Sequence, residues 1–521
     1  MFVTGSSEDK TQNRGVMKLK VLLINPPRVS GYPVVREERF EHKDIGSVYP
    51  PLSLLYMASV LEQNSDYEVK LLDANGMNIP LNTVYNEIAS YSPDVVITRC
   101  AFDTQKEDLE VLRAAKALGA ITVLRSKIIA DVPNVRDEIL RGCCTDIFMD
   151  SEPEAVLPAL MAALYESKRE LLAKTQPAAC LFDPDCRAKE TFWKNLDEVR
   201  GITYYYAGKM TTTASAPEIT ELDSIPFPAW HLLPPLKPYH TGVMEAPFAL
   251  VQTTRGCPFS CTFCAFGKSK CRERSVESVI NELKLLRDTY KIKSFLFFDD
   301  TISIKGGRVE ELCRRMKEEG LDKLKWAACT RANLVTKEML SAMKDAGMKE
   351  IAIGIETGSE TILKNIKKGV SLNDIRQAAK WCKELKIMFY GLAIIGLPGE
   401  TEDTAKETVE FIKEIDPFYT QFCFSTPFPN TEIYEWYKSK GLLLTEDWSK
   451  YFPLADKPVI RTEALSDADL IRLRSYAYSK ILMRPLYLLR QVRPFDLKWT
   501  IGGFLKIMER IVRLVLGKAM R

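Results

Sequence analysis

The stretch Thr253–Gly267, TTRGCPFSCTFCAFG, places Cys257, Cys261 and Cys264 in the spacing C-x3-C-x2-C. It follows the β-rich run FALVQTT, and Gly256 and Pro258 give the loop the turns it needs to fold back on itself. Three thiolates at this spacing satisfy three irons of a four-iron cubane. A structural zinc site wants four ligands, commonly two C-x2-C pairs, and no second pair lies downstream at suitable spacing. Cys271 is the one nearby candidate for a fourth thiol.

On both sides of this loop the chain alternates strands and helices. After the cysteines come SVESVINELKLLRDTY, a helix with Ser275 as its N-cap, and SFLFFDD, a strand ending on Asp299 and Asp300. The alternation continues through EIAIGIETGS and MFYGLAIIGLPGE to about six βα units. It predicts a parallel (β/α)6-type partial barrel over 247–442 with its site at the carboxyl ends of the strands. Asp299, Asp300, Glu356 and Glu400 all fall at such ends.

Upstream, KVLLINPP opens a second alternating series that predicts a doubly wound, Rossmann-like α/β domain over 18–168. Residues 169–246 read as a linker, with ITYYYAGKMTTT as a hairpin and a proline-rich connection after it. Residues 443–521 read as a helical, basic region in which Lys506, Arg510 and Arg513 share a face. That face suits an anionic membrane surface, or a helix packed on the barrel with its charges outward.

Composition sets the surroundings. The 521 residues are 46% hydrophobic with a net charge of +3, which makes nucleic acid a poor partner. The polar first fifteen residues lack an apolar leader core, and no run is long and apolar enough to span a bilayer. Thirteen cysteines are then expected as reduced thiols in the cytoplasm, with peripheral contact at the inner membrane face as the only membrane association.

The cysteine spacing, with Phe263 before the last thiol, resembles the radical S-adenosylmethionine superfamily. LLINPP, YPPLSLLYMASVLE, SEPEAVLPAL, FFDDT, GIETGSETILKNIKKG and GLPGETEDT are similar to recurring segments of the branch with a cobalamin-binding-like front domain. The resemblance implies a [4Fe-4S] cluster on Cys257, Cys261 and Cys264 whose fourth iron is chelated by S-adenosylmethionine. It also implies Phe263 against the adenine, Asp299, Arg331, Glu356 and Thr357 near the amino-acid and ribose parts, and Gly396 with Glu400 on the adenine side. Asp299 could equally cap the next helix, and Glu356 could pair with a lysine. A small-molecule or lipid substrate and an electron donor such as flavodoxin or ferredoxin belong to the same implication.

The front domain departs from the branch's pattern. The D-x-H-x-x-G motif that ligates cobalt is absent, the only histidines being His42, His231 and His240. Arg125 and Ser126 stand where members usually have two glycines that let the nucleotide tail of cobalamin pass. Two readings stay open here: a cobalamin carrier without a histidine ligand, or a vestigial domain that shapes the substrate site. For the whole chain the resemblance implies an enzyme that makes a radical at an unactivated carbon. It would methylate through cobalamin, or rearrange or cyclise a lipid, tetrapyrrole-like or other natural product. The rival is an electron-transfer iron-sulfur protein, against which GIETGSE and GLPGE speak, since an electron carrier has no use for a nucleoside pocket.

Overall fold

The computed structural model describes residues 17–484 and 487, apart from 39–40, 44–46, 174–192, 194 and 242–243. Two sheets carry the architecture. The front sheet contains β1 (Leu19–Asn25), β2 (Tyr67–Asp73), β3 (Val95–Arg99), β4 (Ile121–Arg125) and β5 (Ile147–Met149), parallel in the order β2-β1-β3-β4-β5. β3, β4 and β5 are buried throughout, as continuous apolar strands covered by helices on both faces should be. The last front helix, α1 (Pro153–Ala173), follows β5.

The expected hairpin within 169–246 is present as β6 (Ile202–Tyr206) and β7 (Lys209–Thr212). It is more than a connection. β6 pairs antiparallel with β5, so the hairpin extends the front sheet by two strands, with the Trp193 and Tyr206 rings stacked 5.0 Å apart beside it.

The second sheet runs β8 (Phe248–Val251), β9 (Ser294–Phe297), β10 (Lys325–Thr330), β11 (Met348–Glu356), β12 (Met388–Ile395) and β13 (Tyr419–Phe424). Each strand is parallel to the next in sequence order. β8 and β13 form its two edges, which makes the barrel partial, as expected. Ser275 caps α2 (Val276–Asp288), its hydroxyl accepting from the Ser278 amide at 3.1 Å. Of the C-terminal region, α3 (Asp467–Leu482) is capped by a reciprocal Ser466–Asp469 box and packs on the outside of β13. There the Tyr478 hydroxyl accepts from the Phe422 amide at 3.1 Å and the two rings meet edge to face. The basic face at Lys506, Arg510 and Arg513 lies outside the described residues. Among the described residues no helix is long and apolar enough to cross a membrane.

α3 fixes which side of the barrel sheet is outside. Phe422 and its register partner Ala393 face outward and are buried, so Leu392, paired with Gln421, faces the lumen. Followed across the registers, the inner face carries Leu296, Ala327, Cys329, Ala352 and Gly354. Closed barrels fill this space with bulky branched side chains. Here Ala327, Cys329, Ala352 and Gly354 are small, Glu350 and Tyr390 share the face, and Leu296, Cys329, Gly354, Leu392 and Gln421 are only half-buried. The lumen is therefore not packed shut.

Candidate active site at the barrel mouth

The cysteine loop is the tip of a short antiparallel ladder, Thr254–Arg255 against Arg272–Glu273, attached to the end of β8. Gly256 has φ +89°, and a Cβ there would lie 2.4 Å from the Lys270 carbonyl, so only glycine fits this turn. The Ser269 amide donates to the Cys257 carbonyl at 3.0 Å, while the Ser269 hydroxyl accepts from the Cys257 amide at 3.0 Å. Further along, the Thr262 amide donates to the Ile366 carbonyl at 3.0 Å and the Ile433 amide to the Thr262 carbonyl at 3.1 Å. These bonds seat the loop over the barrel mouth.

Cys261 is buried, and Cys257 and Cys264 are partly open. Burial pushes the Cys264 thiol up to about 11, with Asp300, Cys261 and Cys257 adding to the rise. Cys264 thus lies within reach of the other two thiols' charge. The Cys271 thiol is likewise raised to about 11 by burial, with Glu273 and Asp299 adding to the rise. Among the described residues no three His, Cys, Asp or Glu side chains stand close enough to grip a single metal ion. In a cubane each thiolate holds a different iron, so its thiolates stand further apart than the ligands of one zinc.

Around the thiols the structure gives each expected residue a definite set of partners. Arg331, at the end of β10, donates to the Cys261 sulfur at 3.2 Å and to the Lys368 carbonyl, and its guanidinium lies 3.8 Å from the Phe259 ring centroid. Its Nε is buried without a hydrogen-bond partner. Glu356 sits at a register shift between β11 and β12 with φ +61°, a strained conformation for a non-glycine residue. It pairs with Lys368 at 2.6 Å, both side chains buried, and the Lys368 ammonium lies 5.9 Å from the centre of the Phe263 ring.

Asp299 is committed to the loop base. Its carboxylate accepts from the Thr253 amide at 2.7 Å, the Thr254 amide at 2.8 Å and the Thr253 hydroxyl at 2.6 Å. It caps no helix, since the next one begins after Lys305. The Thr357 hydroxyl meets that of Thr408 at 3.0 Å, on the helix outside β12. Gly396 has φ +91° and donates its amide to Glu400. Burial pushes the Glu400 carboxyl up to about 8, and its Oε1 has no hydrogen-bond partner.

Four participants were not singled out from sequence. Lys368 is one of three lysines in LKNIKKG, and only the fold selects it. Arg255 reaches the front domain, where it meets Glu154 at 2.7 and 3.2 Å, and beside it Arg272 meets Glu152 at 2.7 and 2.9 Å. Phe259, under Arg331, is the fourth.

A partial barrel with three thiols at its mouth, behind a doubly wound domain, defines a class of iron-sulfur enzymes. The sequence pattern of the Radical SAM superfamily matches residues 251–412. An uncharacterised methyltransferase of Pyrococcus horikoshii is 30% identical over 499 residues, covering 94% of this chain and 98% of that protein. The anaerobic magnesium-protoporphyrin IX monomethyl ester cyclase of Cereibacter sphaeroides is 26% identical over 443 residues, 82% of this chain and 66% of that protein. Among solved structures, the cobalamin-dependent S-adenosylmethionine radical enzyme OxsB, with aqua-cobalamin and S-adenosylmethionine bound, shares the fold at a TM-score of 0.66. That match has 17% identity and covers 96% of this chain and 79% of that one. The chain belongs to the radical SAM superfamily, whose members use a [4Fe-4S] cluster and S-adenosylmethionine.

Proposed function

We propose that this chain makes a radical at an unactivated carbon of a bulky, largely apolar small molecule and that the product is a C-methylated, rearranged or ring-closed compound. The observation that carries the reading is the three-thiol loop seated over a lumen that its half-buried lining side chains leave unfilled. The relatives named as a methyltransferase and a porphyrin cyclase support it. Cys257, Cys261 and Cys264 hold the cluster, leaving one iron for S-adenosylmethionine. When bound, the cluster, reduced by an external donor, would supply one electron to the sulfonium of S-adenosylmethionine, whose carbon–sulfur bond would break to methionine and a 5'-deoxyadenosyl radical able to take hydrogen from the substrate.

The chain's own residues bind and orient. Arg331 donates to a ligand sulfur, a contact that favours the reduced cluster. Its unpartnered Nε and the free Glu400 oxygen are polar groups that buried sites keep for a ligand. Glu356 and Lys368 fix each other beside Phe263, which offers a face for adenine. In the lumen, the Tyr390 hydroxyl on the Gln421 amide and the Glu350 carboxyl, raised by burial to about 7, are polar features to which a mostly apolar substrate would be oriented. An electron donor of the flavodoxin or ferredoxin kind and contact of residues 498–521 with an anionic membrane complete the reading. Deleting 498–521 should lower the membrane-pelleted fraction without changing iron content.

Anaerobic reconstitution, reduction and assay of 5'-deoxyadenosine from S-adenosylmethionine alone tests the central claim. Slow formation is expected, and a full cluster with no product would favour the electron-transfer alternative. Ala352→Phe, which fills the lumen, should keep this uncoupled cleavage and abolish capture of substrate from an anaerobic cell extract.

A further inference from the structure

The front sheet reverses its strand order between β1 and β3, and ligands of such sheets bind beyond the carboxyl ends at that point. The solved relative that carries cobalamin shares this fold. Three features of this chain do not fit that group.

First, β3 and β4 both end in arginine. Arg99 and Arg125 are register partners with 0% and 2% of their surfaces exposed. Second, a hairpin, Val34–Arg36 against Glu41–Lys43, brings carboxylates to these strand ends. Arg125 takes both oxygens of Glu38, at 2.8 and 3.0 Å, and the Met149 carbonyl at 3.0 Å. Arg99 pairs with Glu38 and, at 3.2 Å, with Glu41. Glu41 also accepts from the Ser126 hydroxyl and the Lys127 amide, each at 2.6 Å. Arg36 closes the other side, on Asp108 at 2.6 Å and on the Asn25 and Pro26 oxygens at the end of β1. An incoming nucleotide tail would have to break these pairs and leave buried charges without partners.

Third, the space between the two carboxyl ends is filled by rings. Phe102, in the loop after β3, is fully buried against Trp448 at 5.3 Å, Phe428 at 6.1 Å and Tyr451 at 6.3 Å between ring centroids. Phe428 belongs to the loop after β13, so the ligand end of the front sheet meets the mouth of the barrel ring against ring. Asn430 donates to the Asp131 carbonyl across the same seam.

We infer that this front domain is closed to cobalamin: the crevice that would take the nucleotide tail is occupied by the chain's own Glu38–Arg125 and Glu41–Arg99 pairs, and Phe102 occupies the seam above it. As a consequence that rests on the proposed radical reaction, methyl transfer through cobalt drops out, and turnover yields 5'-deoxyadenosine without S-adenosylhomocysteine.

The test is binding, independent of turnover. The reconstituted full chain is incubated with excess hydroxocobalamin, passed through gel filtration and read for corrin absorbance. No retained corrin is expected, while one corrinoid per chain would overturn the inference. The triple variant Glu38→Ala/Arg125→Gly/Ser126→Gly keeps the Arg99–Glu41 pair and opens the crevice, so it should retain corrin where the natural chain does not. A triple variant with full iron content that retains none would overturn the assignment of the block to this ion network. Iron content and 5'-deoxyadenosine formation on the same preparations separate the outcomes: corrin retention by the natural chain with cleavage intact sinks this inference alone, and loss of cleavage by the natural chain without corrin sinks the proposed function alone.

Discussion

The two parallel sheets end in opposite ways. At the carboxyl end of the front sheet Arg36, Arg99 and Arg125 are each matched to a carboxylate of the same domain, and an aromatic ring seals the seam. At the carboxyl end of the barrel sheet lie three thiols, an unpartnered guanidinium nitrogen and a lumen whose lining side chains are in part only half-buried. Parallel strand topology aims side chains and loops at one end. Whether that end becomes a site depends on whether those side chains satisfy one another.

The comparison can be broken most severely at the thiols. Replacing Cys257, Cys261 and Cys264 together by Ala should abolish iron and sulfide uptake and all 5'-deoxyadenosine formation, while the front domain still unfolds cooperatively. A variant that keeps four irons would remove the contrast. The front sheet's closure should next show in its pH dependence. Burial pushes the Glu37 and Glu41 carboxyls from 4.5 up to about 7. Between those values the folded state holds protons that the unfolded chain has released, so stability falls as pH rises through the window and levels off above it. Denaturant titrations at about pH 5 and pH 8 should differ by a few kcal/mol, and Glu37→Gln should shrink the difference; stability that climbs toward pH 8 would contradict it.

Glu38→Ala leaves Arg125 buried without its carboxylate and should cost about 3 kcal/mol, read as a lower unfolding midpoint at unchanged iron content. No loss would mean that the network is solvated rather than closed. The smallest expected effect lies on the open side. Arg331→Lys keeps the charge but loses the planar contact with Phe259 and the directed bond to Cys261. It should slow S-adenosylmethionine cleavage about tenfold and lower the cluster's midpoint potential, and an unmoved potential would reduce Arg331 to a packing residue.

Much of this was legible in the sequence for local reasons. Cysteine spacing, strand-helix alternation and the Ser275 cap are written within a few residues. So was the intrusion at Arg125 and Ser126, because a side chain in place of glycine is a local fact. Its partner was not: Glu38 lies 87 residues upstream, and pairing at that range follows from topology rather than periodicity. The same holds for Lys368, chosen by a turn from among neighbouring lysines, and for Arg331, which was expected near the amino-acid and ribose parts of S-adenosylmethionine and whose contacts include a thiol. Asp299 shows a different limit, since a carboxylate at a strand end reads alike whether it receives a ligand or two backbone amides. The segment 169–246 contains a hairpin by pattern, but nothing local says that it joins the front sheet.

The ion pairs between Glu152, Glu154 and the arginines at the base of the cysteine loop also bear on how the molecule is made. A growing chain emerges amino end first, and domains tend to fold as they appear. Glu152 and Glu154, at the start of α1, are therefore already set in a finished surface when Arg255 and Arg272 leave the ribosome. The loop can be moored on both sides before iron is delivered, so the cell's cluster-loading machinery meets a shaped receptacle rather than a loose strand of thiols.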